Sequence, residues 1–322
     1  MLRRLCQVGA TSWRSAQPNC HSPKVFKQLS AAEREKFFDS FDVVFCDCDG
    51  VVWYTLRDFI PGSAQALAEL QRRGKRLTFV TNNSISSVAE HLHKFAEQAQ
   101  VHVAKEQIVH PAQAVCDHLK DIGFGGMIYC LATPPFKQLL RDAGFRLSQE
   151  REGSVIKTLA ELREAIFGGE PVDAVIIDVD FNLTATKLMR AHVQLQNPSC
   201  LFLAGAADAL IPFGNGDIIG PGPFIDIVAQ STGRQPTVLG KPGEALRQLL
   251  RQHHAHIPPN RVLFVGDSLA SDIGFARASG YQTLLVLTGG SSQADVDSLP
   301  AGHAHMPDYV GDCLGDLCDK AN

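Results

Sequence analysis

From about residue 42 onward, short apolar runs alternate with longer amphipathic stretches. The runs Val43–Cys46, Leu77–Val80, Met127–Leu131, Ala174–Ile177, Leu201–Leu203, Val262–Val265 and Thr283–Leu287 are rich in Val, Ile, Leu and Phe. Each has the length of a strand and is apolar almost throughout, the mark of parallel strands covered on both faces. Between most of them apolar positions return with helical spacing. That spacing predicts helices over Ala64–Arg73, closed by Gly74, and over Ala245–His253, after the Pro242-Gly243 turn. Strand alternating with helix predicts an α/β fold with a mostly parallel sheet.

In open sheets of this kind ligands bind beyond the carboxyl ends of the strands, so the residues placed there carry most of the functional information. Val43–Cys46 runs into Asp47, Cys48, Asp49 and Gly50. Leu77–Val80 runs into Thr81, Asn82 and Asn83. Thr237–Leu239 is read as a further strand running into Gly240 and Lys241, and Val262–Val265 runs into Gly266, Asp267 and, soon after, Asp272. Four strand ends therefore converge on acids, a hydroxyl, amides and one lysine. Between Thr81 and Lys241 the chain holds more than one strand–helix unit needs, with helices of its own over Pro135–Ala143 and Ala185–Gln196. The economical organisation is a discontinuous core, 36–119 and 236–322, with a second α/β domain, 120–235, inserted into it. Residues 1–35 are a leader or extension.

The chemistry follows from the spacing. Residues i and i+2 of an extended segment point the same way, so Asp47 and Asp49 face one reaction centre. A carboxylate can attack phosphorus and split hydrolysis into two steps, while a second acid protonates the leaving oxygen and then activates water. Gly50 lets the chain turn away directly afterwards. Two carboxylates repel a phosphate, so a hard cation is expected, and Mg²⁺ favours oxygen ligands. Asp47, the backbone carbonyl of Asp49 and Asp267 are the expected ligands, with Asp272 orienting metal-bound water. Thr81 and the N–H groups at Asn82 are placed to hold phosphate oxygens, and Lys241 to offset transferred charge.

The segments FCDCDGVVW, TFVTNNS, VLGKP and VLFVGDSLASDI resemble, in order, the four motifs of the haloacid-dehalogenase superfamily. More narrowly, DCDGVVW, IPGS, TNNS, GKP and GDSLASD are similar to the 4-nitrophenylphosphatase group, which includes phosphoglycolate and pyridoxal phosphatases. The resemblance implies a Rossmann-like core with an inserted cap of the C2 type, Asp47 as nucleophile, Asp49 as general acid/base, and phosphate monoester hydrolysis through an aspartyl-phosphate. It implies Thr81 and Lys241 as phosphate ligands and Asp267 as the remaining magnesium ligand; Asn83 and Asp208 join Asn82 as candidate substrate contacts. Relatives are often dimers through the cap, so a homodimer is a further expectation. The chain departs from the group at Ile85-Ser86-Ser87 and Ser268, where cationic residues are common. It departs again at Gly205-Ala206-Ala207-Asp208, where a T-N-x-D pattern is usual. Phosphoglycolate carries a carboxylate that such cations would favour, so aryl phosphates are expected to be better substrates. The alternatives are a phosphotransferase or protein-tyrosine phosphatase of the same fold, or a non-catalytic binding relative.

Composition narrows the partners. A net charge of −4 lacks the basic excess of a nucleic-acid binder, and no apolar run reaches the roughly 18 residues of a membrane span. A small phosphate ester is the expected partner. The nine cysteines are scattered, and Cys46 and Cys48 sit in an apparent core strand, which reads as free thiols in a reducing compartment. Residues 1–32 contain no acid but carry Arg3, Arg4, Arg14, Lys24 and Lys27. Such a leader resembles a mitochondrial transit peptide; the plainer expectation is an extension ahead of a cytoplasmic enzyme.

Overall fold

The computed structural model describes residues 22–55, 58–99, 101–149, 155–213 and 216–318. Fourteen strands among them, numbered in chain order, form two parallel sheets and a hairpin. The first sheet holds β1 (Lys24–Val25), β2 (Val43–Cys46), β3 (Arg76–Val80), β4 (Ile108–Val109), β12 (Val262–Gly266), β13 (Gln282–Val286) and β14 (Tyr309–Gly311). Its order is β1-β14-β13-β12-β2-β3-β4, parallel throughout. The second holds β5 (Met127–Leu131), β6 (Arg146–Leu147), β7 (Ala174–Ile177), β8 (Leu201–Ala204) and β11 (Thr237–Val238), in the order β11-β8-β7-β5-β6. The hairpin pairs β9 (Leu210–Phe213) with β10 (Gly216–Ile219).

The apolar runs become strands for the reason their composition suggests. β2 and β12 are buried at every position, and their side chains alternate between two apolar layers. Val44, Cys46, Leu263 and Val265 face one; Val43, Phe45, Val262 and Phe264 face the other. Full burial of a side chain such as Phe45 contributes about 1.5–3 kcal/mol. The second layer also contains Ile128, Cys130, Ala174 and Ile176 from the second sheet. The helices Pro111–Asp121, Pro134–Asp142 and Glu244–His253 join the two through Val115, Leu119, Phe136, Leu140, Leu246 and Leu250. Core and insertion therefore share a packed seam, and the helix Pro111–Asp121 straddles the boundary expected near residue 119.

Two expectations are corrected. Thr237–Val238, read as a strand of the core, pairs with β8 and closes the second sheet, so the chain returns to the core only at Leu239–Lys241. Hydrophobicity along the chain does not distinguish the sheets, because both demand a strand buried on both faces. The extension was also drawn too long. Lys24–Val25 forms the edge strand beside β14, and Phe26 is buried edge-on against Phe37. Lys27 pairs with Asp312 and Asp316. Ser30 then caps the helix Ala31–Asp39, accepting from the Glu33 N–H, while Glu33 reaches back to the Ser30 N–H. Of the positive charges there, that of Lys27 is answered by acids far along the chain. Residues 1–21, where most of the leader falls, lie outside the described residues. No described helix is long and apolar enough to cross a membrane, and the seven cysteines among the described residues are free thiols.

Candidate active site

β2 and β12 lie side by side with Cys46 opposite Val265, so Asp47 and Asp267 emerge together just beyond the sheet. Asp47 donates its N–H to the Val265 carbonyl at 2.9 Å, fixing that start. Lys241, brought in by the chain leaving β11, is 2% exposed and its ammonium sits 2.8 Å from Asp47 Oδ1 and 2.7 Å from Asp272 Oδ1. The other Asp272 oxygen accepts the N–H groups of Asp267 and Ser268, each at 3.0 Å. Gly290 donates its N–H to Asp267 Oδ2 at 2.6 Å. At Gly50 the backbone is left-handed, φ 79°, and a Cβ there would lie 2.3 Å from Asp267 Oδ2, so both the turn and the close approach require glycine.

The electrostatics of this cluster are unbalanced. Carboxylate oxygens of Asp47, Asp267 and Asp272 lie within 4.8 Å of one another, against a single ammonium. Burial pushes the Asp47 carboxyl up to about 7, with Lys241 pulling the other way and Asp272 adding to the rise. Burial, then the charges of Asp272 and Asp47, raise Asp267 well above the carboxylate range. For Lys241 burial alone would lower the ammonium pKa, but Asp272 and Asp47 outweigh it and the group is held above its ordinary value. Closely spaced oxygen donors short of positive charge suit a hard divalent cation, so the residues present fit magnesium.

The second acid is held differently. Asp49 accepts from Asn83 Nδ2 on one oxygen, at 3.0 Å, and from Trp53 Nε1 on the other, at 3.3 Å. Asn83 is itself fixed, its Oδ1 accepting the N–H groups of Ile85 and Ser86 and its own N–H donating to Thr81 Oγ1. Trp53 is buried, stacked on His91, with the Lys94 ammonium 4.4 Å from the ring centre. The indole N–H of Trp53 thus adds a contact to Asp49 beyond its packing.

The side chains of three expected substrate contacts have partners inside the fold. Asn83 is engaged as described. Asn82 accepts the Lys241 N–H at 2.8 Å and donates at 2.9 Å both to the Lys241 carbonyl and to Asp208 Oδ2. The amide thus grips the Lys241 backbone on both sides and ties it to the insertion, and Asp208 is the far end of that tie. Asp272 likewise joins Lys241 to two backbone N–H groups through its two oxygens. A side-chain amide beside a buried backbone segment satisfies donors and acceptors that water cannot reach.

One residue of the seam went unread in the sequence. Asp178, just beyond β7, is buried and accepts from Ser84 Oγ, from the Val179 N–H at 2.6 Å and from the Ala206 N–H at 2.7 Å. Thr133 Oγ1 donates to the Ser84 carbonyl at 3.0 Å. The signal was available: Asp178 is an acid at the end of an apolar strand, as Asp47 and Asp267 are. It also explains Gly205, where a Cβ would lie 1.9 Å from Asp178 Oδ2. Gly205 is therefore a place where the carboxylate needs the space, rather than a vacated substrate contact. Gly205→Thr is expected to lower stability by about 1–3 kcal/mol, the usual cost of overpacking. Adding Asp178→Gly should restore part of that loss through coupling of the two sites. Urea unfolding of the single and double variants measures both, and equal stability of parent and Gly205→Thr would contradict the steric argument.

Comparison with known proteins accords with this geometry. Residues 44–146 match the family model for haloacid dehalogenase-like hydrolases, and residues 238–317 match a second, HAD-hydrolase-like model. The chain is 30% identical to phosphoglycolate phosphatase 2 of Arabidopsis thaliana, over 90% of this chain and 96% of that one. It is 31% identical to a 4-nitrophenylphosphatase of Schizosaccharomyces pombe, over 92% and 99%. Among solved structures it is similar to a glycerol phosphate phosphatase of Mycobacterium tuberculosis in complex with magnesium. That match has a TM-score of 0.68 and 25% identity, and covers 92% of this chain and 78% of that one.

Proposed function

The chain belongs to the haloacid-dehalogenase-like hydrolases and is a phosphatase, and we propose that it hydrolyses small phosphate monoesters with Asp47 as the nucleophile. The observation that carries this reading is the buried grouping of Asp47, Lys241, Asp267 and Asp272 at the ends of adjoining elements. Asp47 Oδ attacks phosphorus as the bond to the leaving oxygen breaks, and Asp49 gives that oxygen its proton. Asp49 then takes a proton from the water that attacks the aspartyl-phosphate, releasing phosphate and restoring the Asp47 carboxylate. Asn83 and Trp53 hold Asp49 in place for both transfers. Lys241 neutralises charge on the transferring group, and Thr81 offers its hydroxyl to a phosphate oxygen. Asp47, Asp267 and the Asp49 carbonyl would hold magnesium, which supplies charge neutralisation for the phosphate.

For the substrate, the reading favours aryl phosphates over phosphoglycolate. Ser86 and Val88 stand where cations are common in the group. In the structure Ser87 Oγ caps the helix Val88–Lys94 and the Ser86 carbonyl is bonded to the His110 ring. Ser268 Oγ accepts the Ser271 N–H at 3.2 Å. These residues are occupied in turns and present no positive charge to a substrate carboxylate. The test is kcat/KM for 4-nitrophenyl phosphate and phosphoglycolate, each with magnesium and with a chelator. Turnover that depends on magnesium and ranks the aryl ester first is expected. Undiminished turnover in chelator would remove the metal from the reading, and preference for phosphoglycolate would remove the substrate assignment.

A further inference from the structure

Outside the Asp47 centre, the inserted domain contains a cavity of about 960 Å³ between the helices Pro134–Asp142, Leu159–Phe167 and Ala185–Gln194. That is near the top of the range of about 300–1,000 Å³ usual for small-molecule sites. None of the residues assigned to phosphoryl chemistry lines it. Its charged lining is Lys137, Arg141, Lys187 and Arg190 against Glu161 and Asp180, and Lys187 is paired with Asp180 at 2.7 Å.

Arg190 is the informative member. It is 8% exposed, and its Nε is buried without a hydrogen-bond partner among the described residues. Its guanidinium packs 4.9 Å from the centre of the Tyr129 ring, which also lines the cavity. Burying a cation without a hydrogen-bonded counter-charge is costly, and a ring face offsets only part of that cost. A guanidinium presents a planar fork of donors that matches a carboxylate or phosphate. A buried arginine with an unpartnered Nε on a cavity wall is the arrangement that an oxyanion completes.

We infer that this cavity is a second binding site, separate from the Asp47 centre, for a small metabolite bearing a carboxylate or phosphate that pairs with Arg190. Tyr129 and the half-exposed Phe181 supply apolar wall for the rest of the ligand. The cavity also touches the seam. Asp180, on its wall, follows two residues after Asp178, which is bonded to Ser84 of the core.

The test uses the full chain without metal, with malonate and inorganic phosphate as separate probes of the two oxyanions. Thermal unfolding is followed across a titration of each in the parent, Arg190→Gln and Ala165→Trp. Ala165 lies on the cavity wall, and an indole there fills space while leaving the arginine itself unchanged. A saturable rise in Tm is expected for at least one probe in the parent, weakened tenfold or more in affinity in both variants. The probe that responds identifies the anion. If Arg190→Gln fails to fold, Ala165→Trp decides alone. A parent with no saturable response, or an Ala165→Trp variant that responds like the parent, overturns the inference. Turnover of 4-nitrophenyl phosphate by Ala165→Trp is measured alongside. It is expected to persist, so loss of the second site and failure of the phosphatase reading give different results.

Discussion

Asp47→Asn is expected to abolish turnover of every phosphate ester while leaving the chain folded. The amide keeps the shape of the carboxylate but cannot form an acyl-phosphate, and it withdraws one of the three charges gathered with Asp267 and Asp272. Removal of a covalent nucleophile elsewhere costs on the order of 10⁶-fold in kcat, and a loss of that size is expected here. Folding should survive because the native cluster already carries more negative charge than Lys241 offsets, and burial pushes Asp47 toward its neutral form, up to about 7. Asp49→Asn should cost less, about 10²–10⁴-fold, the range for loss of a general acid/base. Its phosphoenzyme should persist long enough to trap, because the attacking water then lacks its base. Single-turnover kinetics with 4-nitrophenyl phosphate and mass measurement of the quenched protein check both variants. Near-normal rates from Asp47→Asn with magnesium present would transfer the nucleophile's role to another residue.

The second large effect is expected at Lys241, where function and stability fall together. Its ammonium bridges Asp47 and Asp272 from a buried position. Lys241→Met keeps the length of the side chain but leaves Asp272, which is fully buried, without its cation. Breaking a buried ion pair by removing one partner costs about 3–5 kcal/mol, and loss of one charge-stabilising donor in an active site costs about 10²–10³ in kcat. The two effects separate in the double variant Lys241→Met/Asp272→Asn. It removes the stranded charge, while an amide can still accept from the Asp267 and Ser268 N–H groups, now bonded to Asp272 Oδ2. Stability should recover substantially and turnover should not. Urea midpoints and kcat for the single and double variants supply the comparison. Recovery of turnover along with stability would mean that Lys241 serves the fold and not the chemistry.

Much of the candidate site was legible in the sequence because its signals are local. An apolar run ending in an acid, as at Cys46–Asp47 or Gly266–Asp267, specifies a buried strand and the polar atom at its tip together. The spacing of Asp47 and Asp49 and the glycine that follows them belong to the same short segment. Motif order alone sufficed to group Lys241 with them. Contacts across the seam were a different matter. Asn82 binding the Lys241 backbone, Asp208 answering Asn82, and Asp178 filling the space left at Gly205 each join residues far apart in the chain. Polar side chains at strand ends look alike in sequence whether they face a ligand or a neighbouring domain. Only the packing of the two sheets decides which polar groups water can still reach. The same holds for Thr237–Val238, whose composition suits either sheet, and for Lys27, whose charge looks like part of a leader until Asp312 and Asp316 come beside it. The sequence by itself determined the longer buried strands and the acids at their tips, because these depend on near neighbours. The tertiary structure alone decided which polar groups are spent inside the fold and which remain for a substrate, because that depends on what the folded chain brings alongside them.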